Sequence, residues 1–117
     1  ITELHLLDNK VIASGGGVIL GEENVRRLKK NGILILLDAD VDTIYKRINE
    51  DVAAQQRRPN LTNWDRYQEI EYLLEYRKPF YDKAADFVLN TASISAEEAV
   101  NKIMSFVCNY VKDLKNN

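Results

Sequence analysis

Short apolar runs alternate along this chain with segments in which apolar residues recur every three or four positions. Such runs occur at 10–13, 33–37 and 86–89, and they are rich in β-branched residues or leucine. Runs of this length predict strands. The run at 33–37 has no polar position, which predicts a parallel strand covered on both faces. We therefore expect three strands.

The periodic segments predict helices with recognisable ends. Acidic residues at 22–23 and basic residues at 29–30 bracket the first helix and suit its macrodipole. Asp40 or Asp42 is placed to cap a second helix that runs to about residue 50. Each of these helices follows one of the predicted strands.

Two more helices are predicted in the second half of the chain. One spans 64–76, and Lys78-Pro79 should interrupt it before a short helical turn at 80–84. The last helix begins with Ser95 and Glu98 in the spacing of a capping box. Its apolar stripe is expected to lie in the core and consists of Ala99, Val100, Ile103, Met104, Val107 and Val111.

The order strand, helix, strand, helix pair, strand, helix is typical of an α/β fold with a parallel sheet. With 117 residues, 45% of them hydrophobic, the chain is expected to form a single domain over residues 1–117. The segment 51–63 lacks apolar periodicity and is long for a loop in a compact domain. Such loops are often functional lids, so we interpret 51–63 as a lid.

Charge and cysteine content narrow the expected setting. Lys and Arg number 16 against 18 Asp and Glu, so a net charge of -2 gives no argument for nucleic acid or a membrane as a partner. A single cysteine cannot form an internal disulfide, and no signal peptide is evident, which favours the cytoplasm. We interpret Cys108 as a core thiol and His5 as a surface or packing residue.

Three consecutive glycines, Gly15, Gly16 and Gly17, follow the first predicted strand. Glycine can adopt a positive φ and leaves its backbone uncovered, so a ligand can contact the backbone beyond the strand. The alternative is a tight turn from strand to helix without a ligand.

Two arginine sites are candidates for binding an anion. Arg58 follows Arg57 and precedes Pro59, which restricts it to extended backbone geometry, and Arg77 is predicted to end a helix. A guanidinium can bind a carboxylate or phosphate through two parallel hydrogen bonds. The alternatives are a solvated arginine pair and, for Arg77, a favourable contact with the helix C-terminus.

Several of these features belong to segments whose order and spacing are those of a known enzyme family. The segments are Ala13-Ser14-Gly15-Gly16-Gly17, Leu28-Lys29-Lys30-Asn31-Gly32, Leu36-Leu37-Asp38-Ala39, Arg58-Pro59-Asn60-Leu61-Thr62 and Arg77-Lys78-Pro79-Phe80-Tyr81 with Ala85-Asp86. On these segments the chain resembles shikimate kinases over nearly its whole length. The triple glycine is the most specific of them.

The resemblance implies a P-loop kinase of the nucleoside monophosphate kinase type, with a parallel sheet flanked by helices. The family uses ATP and Mg²⁺ to phosphorylate the 3-hydroxyl of shikimate, a step of aromatic amino acid (chorismate) biosynthesis. Carried over to this sequence, the resemblance implies that Arg77 holds the shikimate carboxylate. It also implies that the three glycines line the shikimate pocket.

The nucleotide is expected to contact three further residues. Arg58 would be the catalytic arginine of the lid and would reach the phosphates. Arg47 would pack on the adenine base, and Ile94, in the loop 91–95, would face the other side of the nucleotide. The resemblance implies no metal ligand within this sequence.

The largest departure of the chain from the family is that it contains no G-x-x-x-x-G-K-[ST] sequence, the phosphate-binding loop. In the family the strand before that loop lies between those matching 10–13 and 33–37. We therefore expect a chain without the N-terminal P-loop strand and helix, inactive alone and prone to associate through unpaired strands. The alternatives are a non-catalytic binding module and a P-loop kinase for another small hydroxy acid.

Overall fold

The computed structural model describes residues 10–50 and 65–116. The regular elements are a 3₁₀ turn (Val18–Leu20), α1 (Glu22–Lys30), β1 (Ile35–Asp38), α2 (Val41–Glu50), α3 (Arg66–Ala84), β2 (Phe87–Asn90) and α4 (Ala96–Asn116). Strands β1 and β2 pair in parallel, with Ile35 opposite Phe87 and Asp38 opposite Asn90. The predicted α/β architecture with a parallel sheet flanked by helices is therefore confirmed. The predicted lid at 51–63 and His5 lie outside the described residues.

The strand predicted at 10–13 is wrong. These residues have no regular secondary structure, and the Val11 side chain is fully exposed. Within the described part of the chain, β1 has β2 as its only strand neighbour, and its other edge is unpaired. A strand needs an adjacent backbone for its hydrogen bonds, and none lies beside 10–13. The predicted coverage of both faces of β1 is also wrong at Leu37, which is 60% exposed.

Helix α3 passes through Pro79 without a break, so the predicted interruption at Lys78-Pro79 is wrong. Proline removes one backbone donor, but its fixed φ is compatible with a helix. The following turn is held because Ala84 is buried and the Ala85 N–H donates to the Tyr81 carbonyl at 2.9 Å. Arg77 therefore lies within a helix and not at its end.

Helix α4 covers the sheet with only part of its apolar stripe. Phe106 stacks on Phe87 of β2, with ring centroids 4.4 Å apart. Cys108 is exposed, so its interpretation as a core thiol is wrong. The predicted stripe divides into three half-buried and three exposed residues, respectively Ala99, Ile103 and Val107 and then Val100, Met104 and Val111.

Two predicted helix starts are confirmed. Asp40, and not Asp42, caps α2: its carboxylate accepts the Thr43 N–H at 3.3 Å and also the Thr43 hydroxyl, which holds the pKa of Asp40 below its usual range. Ser95 accepts the Glu98 N–H at 3.1 Å and donates its hydroxyl to the Glu98 carboxylate at 3.3 Å. Both helices therefore start beyond the carboxyl ends of the strands, where ligands bind in open α/β sheets.

Helices α2 and α3 are joined near the N-terminus of each. The rings of Tyr45 and Tyr67 meet edge to face with centroids 5.5 Å apart. The Tyr67 hydroxyl donates to the Asp42 carboxylate at 2.9 Å, and this bond raises the pKa of Tyr67. The buried apolar side chains among the described residues are Ala39, Ile70, Ala84 and Leu89.

Asp86 joins three elements just before β2. One carboxylate oxygen accepts the Leu34 N–H at 2.8 Å, next to β1, and the other lies 3.1 Å from Lys29 Nζ of α1. Lys29 Nζ also donates to the Ala84 carbonyl at the end of α3, at 3.1 Å. The Asp86 side chain therefore satisfies a backbone donor and a half-buried cation, and it ties both helices to the sheet.

We predict that Asp86→Ala destabilises the fold by about 1–3 kcal/mol, because it leaves the Leu34 N–H without its acceptor. Asp82→Ala is the matched control, since Asp82 pairs only across an exposed contact with Lys78 and should cost less than about 0.5 kcal/mol. Thermal unfolding followed by circular dichroism measures both. Equal destabilisation by the two variants would contradict this role of Asp86.

Candidate functional site

The triple glycine forms a tight turn that leads into α1. The Val18 N–H donates to the Gly15 carbonyl at 3.3 Å, and the 3₁₀ turn begins directly after Gly17. None of the three glycines has a φ in the left-handed region. The expectation that these glycines adopt a positive φ is therefore wrong. Where one of these positions requires glycine, the reason is the lack of space for a side chain.

Helix α3 supplies the groups that fill this space. Arg77 and Tyr81 are four residues apart on the helix, so both side chains reach the same side of it. The Tyr81 hydroxyl donates to the Gly16 carbonyl at 3.2 Å. A Cβ on Gly16 would lie 2.7 Å from the Tyr81 oxygen and 2.9 Å from Arg77 Nη1, and one on Gly17 would lie 3.7 Å from Arg77 Nη2. The structure thus brings Arg77 against the glycine turn.

Among the described residues, no acidic side chain forms an ion pair with the Arg77 guanidinium. The Arg77 Nε atom is buried and has no hydrogen-bond partner among these residues. A buried cationic donor without an acceptor is costly. A carboxylate or phosphate can satisfy this group through parallel hydrogen bonds, so Arg77 and the glycine turn form a candidate anion site.

A cleft of about 380 Å³ borders the glycine turn. It separates residues 12–16 from 34–37, which include the unpaired edge of β1, and Tyr81 lies in its wall. This is the position in which the family resemblance places the phosphate-loop strand. The cleft and the anion site share Gly16 and Tyr81.

A second candidate site lies beyond the carboxyl ends of the strands. Arg47 of α2 donates from Nη1 to the Thr91 hydroxyl at 2.9 Å and from Nη2 to the Thr91 carbonyl at 2.7 Å. The Thr91 hydroxyl and N–H both donate to the Asp38 carbonyl, at 3.0 and 2.8 Å. The guanidinium is therefore fixed against the loop 91–95, which also carries the half-buried Ile94.

The structure places the predicted site residues in two groups, except for one residue that it does not describe. The glycines and Arg77 lie together, and Arg47 contacts the loop that carries Ile94. Arg58, the predicted catalytic residue, lies outside the described residues. Sequence reasoning missed Tyr81 as a partner of the turn. Its four-residue spacing from Arg77 places both side chains on one side of an uninterrupted helix, but nothing in that spacing identifies the turn as the partner.

Residues 10–50 and 65–116 contain no group of three or more His, Cys, Asp or Glu side chains that could hold a metal ion. No helix described in the structure is long and apolar enough to cross a membrane.

Comparisons with known proteins agree on one family. The family described as Shikimate kinase matches residues 1–108. A shikimate kinase from Caldicellulosiruptor saccharolyticus is 43% identical over 105 residues, which cover 90% of this chain and 58% of that protein. One from Coxiella burnetii is 33% identical over 114 residues, covering 97% of this chain and 63% of that protein. The chain therefore spans about three-fifths of the length of these relatives.

A solved structure is similar to the fold as well. Shikimate kinase from Acinetobacter baumannii in complex with shikimate superposes with a TM-score of 0.80 at 28% identity, over 93% of this chain and 59% of that one. The predicted kinase fold is therefore confirmed for the part that this chain comprises.

We predict opposite effects for alanine at two adjacent glycines. Gly16→Ala should destabilise the protein by about 0.5–1.5 kcal/mol, because the new methyl group displaces the ends of the Tyr81 and Arg77 side chains and breaks the bond from Tyr81 to the Gly16 carbonyl. Gly15→Ala meets nothing within 4 Å and should be neutral or stabilise by up to about 1 kcal/mol through the unfolded chain. Thermal unfolding measures both variants, and equal shifts would refute the close approach at Gly16.

Proposed function

Because this chain belongs to the shikimate kinase family, we propose that its protein transfers the γ-phosphoryl group of ATP to the 3-hydroxyl of shikimate. The observation that carries the proposal is the Arg77 guanidinium, held against the glycine turn with a buried Nε that has no partner among the described residues. Such a group requires an anion, and shikimate carries one carboxylate. The complex of the Acinetobacter baumannii relative with shikimate supports the choice of acceptor.

In this proposal Arg77 binds the shikimate carboxylate and fixes the orientation of the ring. A guanidinium and a carboxylate can form two parallel hydrogen bonds, which specify direction as well as charge. Gly15, Gly16 and Gly17 carry no side chains, so the ring can approach the backbone of the turn closely. The acceptor hydroxyl is thereby placed at a fixed distance from the carboxylate end of the molecule.

Arg47 and Ile94 are proposed to hold the adenine base. Each terminal nitrogen of Arg47 donates one hydrogen bond to Thr91, and these two bonds fix the plane of the guanidinium. A fixed guanidinium plane can stack on an aromatic base. This arrangement supports a role in stacking rather than in binding the phosphates.

In the reaction itself, the 3-hydroxyl oxygen of shikimate forms a bond to the γ-phosphorus of ATP and loses its proton. The bond between this phosphorus and the oxygen that bridges it to ADP breaks, and ADP leaves. Catalysis of such a transfer rests on positioning and on stabilising charge. Arg58, in the 51–63 lid, is proposed as the catalytic residue that reaches the phosphates. The family implies Mg²⁺, but the described residues contain no cluster of side chains that fits this ion. Their proposed role is to position the shikimate acceptor and the adenine base.

The unpaired edge of β1 and the exposed stripe of α4 support a further part of the proposal. Unpaired strand edges and exposed apolar faces favour association, so the 117-residue chain alone is expected to self-associate. It is also expected to lack activity, because it contains no phosphate-binding loop sequence. The proposed setting is the cytoplasm, where ATP is available. A non-catalytic binding module, or a kinase for another hydroxy acid, remains the alternative.

The test is kinetic and uses the natural protein that contains this chain. Arg77→Ala should raise the KM for shikimate by about 10- to 100-fold, because a charge-assisted pair is lost, and should change the KM for ATP little. Lys78→Ala is the matched control, since it removes the neighbouring positive charge, which is exposed and pairs only with Asp82. Its KM for shikimate should be unchanged.

Four outcomes would contradict the proposal. A wild-type protein that phosphorylates no shikimate excludes the activity. Binding of shikimate without transfer supports the binding module, and faster phosphorylation of another hydroxy acid supports the other kinase. An unchanged KM in Arg77→Ala would refute the assigned role of Arg77.

A further inference from the structure

The Gly16 carbonyl has two potential donors on helix α3. Tyr81 already donates its hydroxyl to this oxygen at 3.2 Å. Arg77 Nη1 lies 2.9 Å from the position of a Cβ on Gly16, which is two bonds from the carbonyl carbon of the same residue. The guanidinium is therefore close to an acceptor that it does not use in the structure.

We propose that Tyr81 is a positioning residue that occupies the Gly16 carbonyl and thereby leaves the Arg77 guanidinium available to the carboxylate of the acceptor. This inference rests on the proposed function, because it assigns Arg77 to the acceptor. An arginine side chain has five N–H donors, and each can form a hydrogen bond with a nearby acceptor. A carbonyl oxygen has two lone pairs, and without the Tyr81 bond the Gly16 carbonyl would accept more strongly from Arg77 and compete with the substrate for the guanidinium.

The position of Tyr81 on its helix suits this role. The Tyr81 carbonyl accepts the Ala85 N–H at 2.9 Å, and Ala84 is 4% exposed, so the backbone that carries the phenol is held at the end of α3. Tyr81 also lines the cleft beside the glycine turn. The bond from its hydroxyl therefore fixes the glycine turn beside Arg77.

The variant Tyr81→Phe removes the hydroxyl and keeps the ring. We expect the KM for shikimate to rise about five- to tenfold, because the freed carbonyl captures Arg77, with kcat and the KM for ATP nearly unchanged. Tyr76→Phe is the matched control: Tyr76 lies on the same helix, is 51% exposed, and contacts Phe80 through its ring. That variant should change no kinetic constant by more than about twofold.

A double-mutant cycle separates action through Arg77 from a general effect on the fold. If Tyr81 acts through Arg77, Tyr81→Phe should change the KM for shikimate little in an Arg77→Ala background. Equal effects of Tyr81→Phe in the two backgrounds would overturn the proposal, and so would an unchanged KM in the single variant. Failure of the proposed function is recognised separately, because the wild-type protein would then not phosphorylate shikimate.

A measurement on the wild-type protein tests the inference without a variant. Nuclear magnetic resonance of the Arg77 Nε–H should show an unbonded group in the free protein and a hydrogen-bonded one when shikimate is added. A hydrogen-bonded Arg77 guanidinium in the free protein would overturn the inference, because Tyr81 would then not be keeping it available.

Discussion

A strand needs a backbone partner for the donors and acceptors along each of its edges, and this constraint decides how far the sheet extends among the described residues. Strand β1 has one neighbour, β2. On the other edge, residues 10–13 form no strand and a cleft of about 380 Å³ opens beside the glycine turn. Leu37 and part of the apolar stripe of α4 are exposed. Within the described residues, β1 and β2 therefore each have one paired edge, and the cleft lies at the other edge of β1.

The candidate acceptor site does not depend on that missing neighbour. Arg77 and Tyr81 both come from α3, and the Tyr81 hydroxyl bonds directly to the backbone of the glycine turn. The turn leads into α1, which Lys29 and Asp86 tie to the sheet. These contacts hold the glycine turn and the arginine together across 60 residues of sequence. The nucleotide site is held separately, by the bonds between Arg47 and Thr91.

The sequence predicts the parts of this structure whose causes are local. The caps of α2 and α4 follow from Asp40 and from the pair Ser95 and Glu98, because each bonds to a backbone group three residues away. Periodicity also identifies an apolar face of α4, but it cannot say whether another layer covers that face, so Cys108 was wrongly placed in the core. At Pro79 a local rule failed, because the fixed φ of proline is compatible with a helix and α3 continues to Ala84. The bond from Tyr81 to Gly16 joins distant residues, and no local pattern announces it.

The central claim is that Arg77, held free at the glycine turn, binds the carboxylate of shikimate. A crystal structure of the natural protein with shikimate tests this claim most directly. The account predicts a carboxylate within hydrogen-bond distance of the Arg77 guanidinium, with the ring against Gly16 and the Tyr81 hydroxyl still on the Gly16 carbonyl. A carboxylate bound elsewhere, with Arg77 Nε still lacking an acceptor, would contradict it.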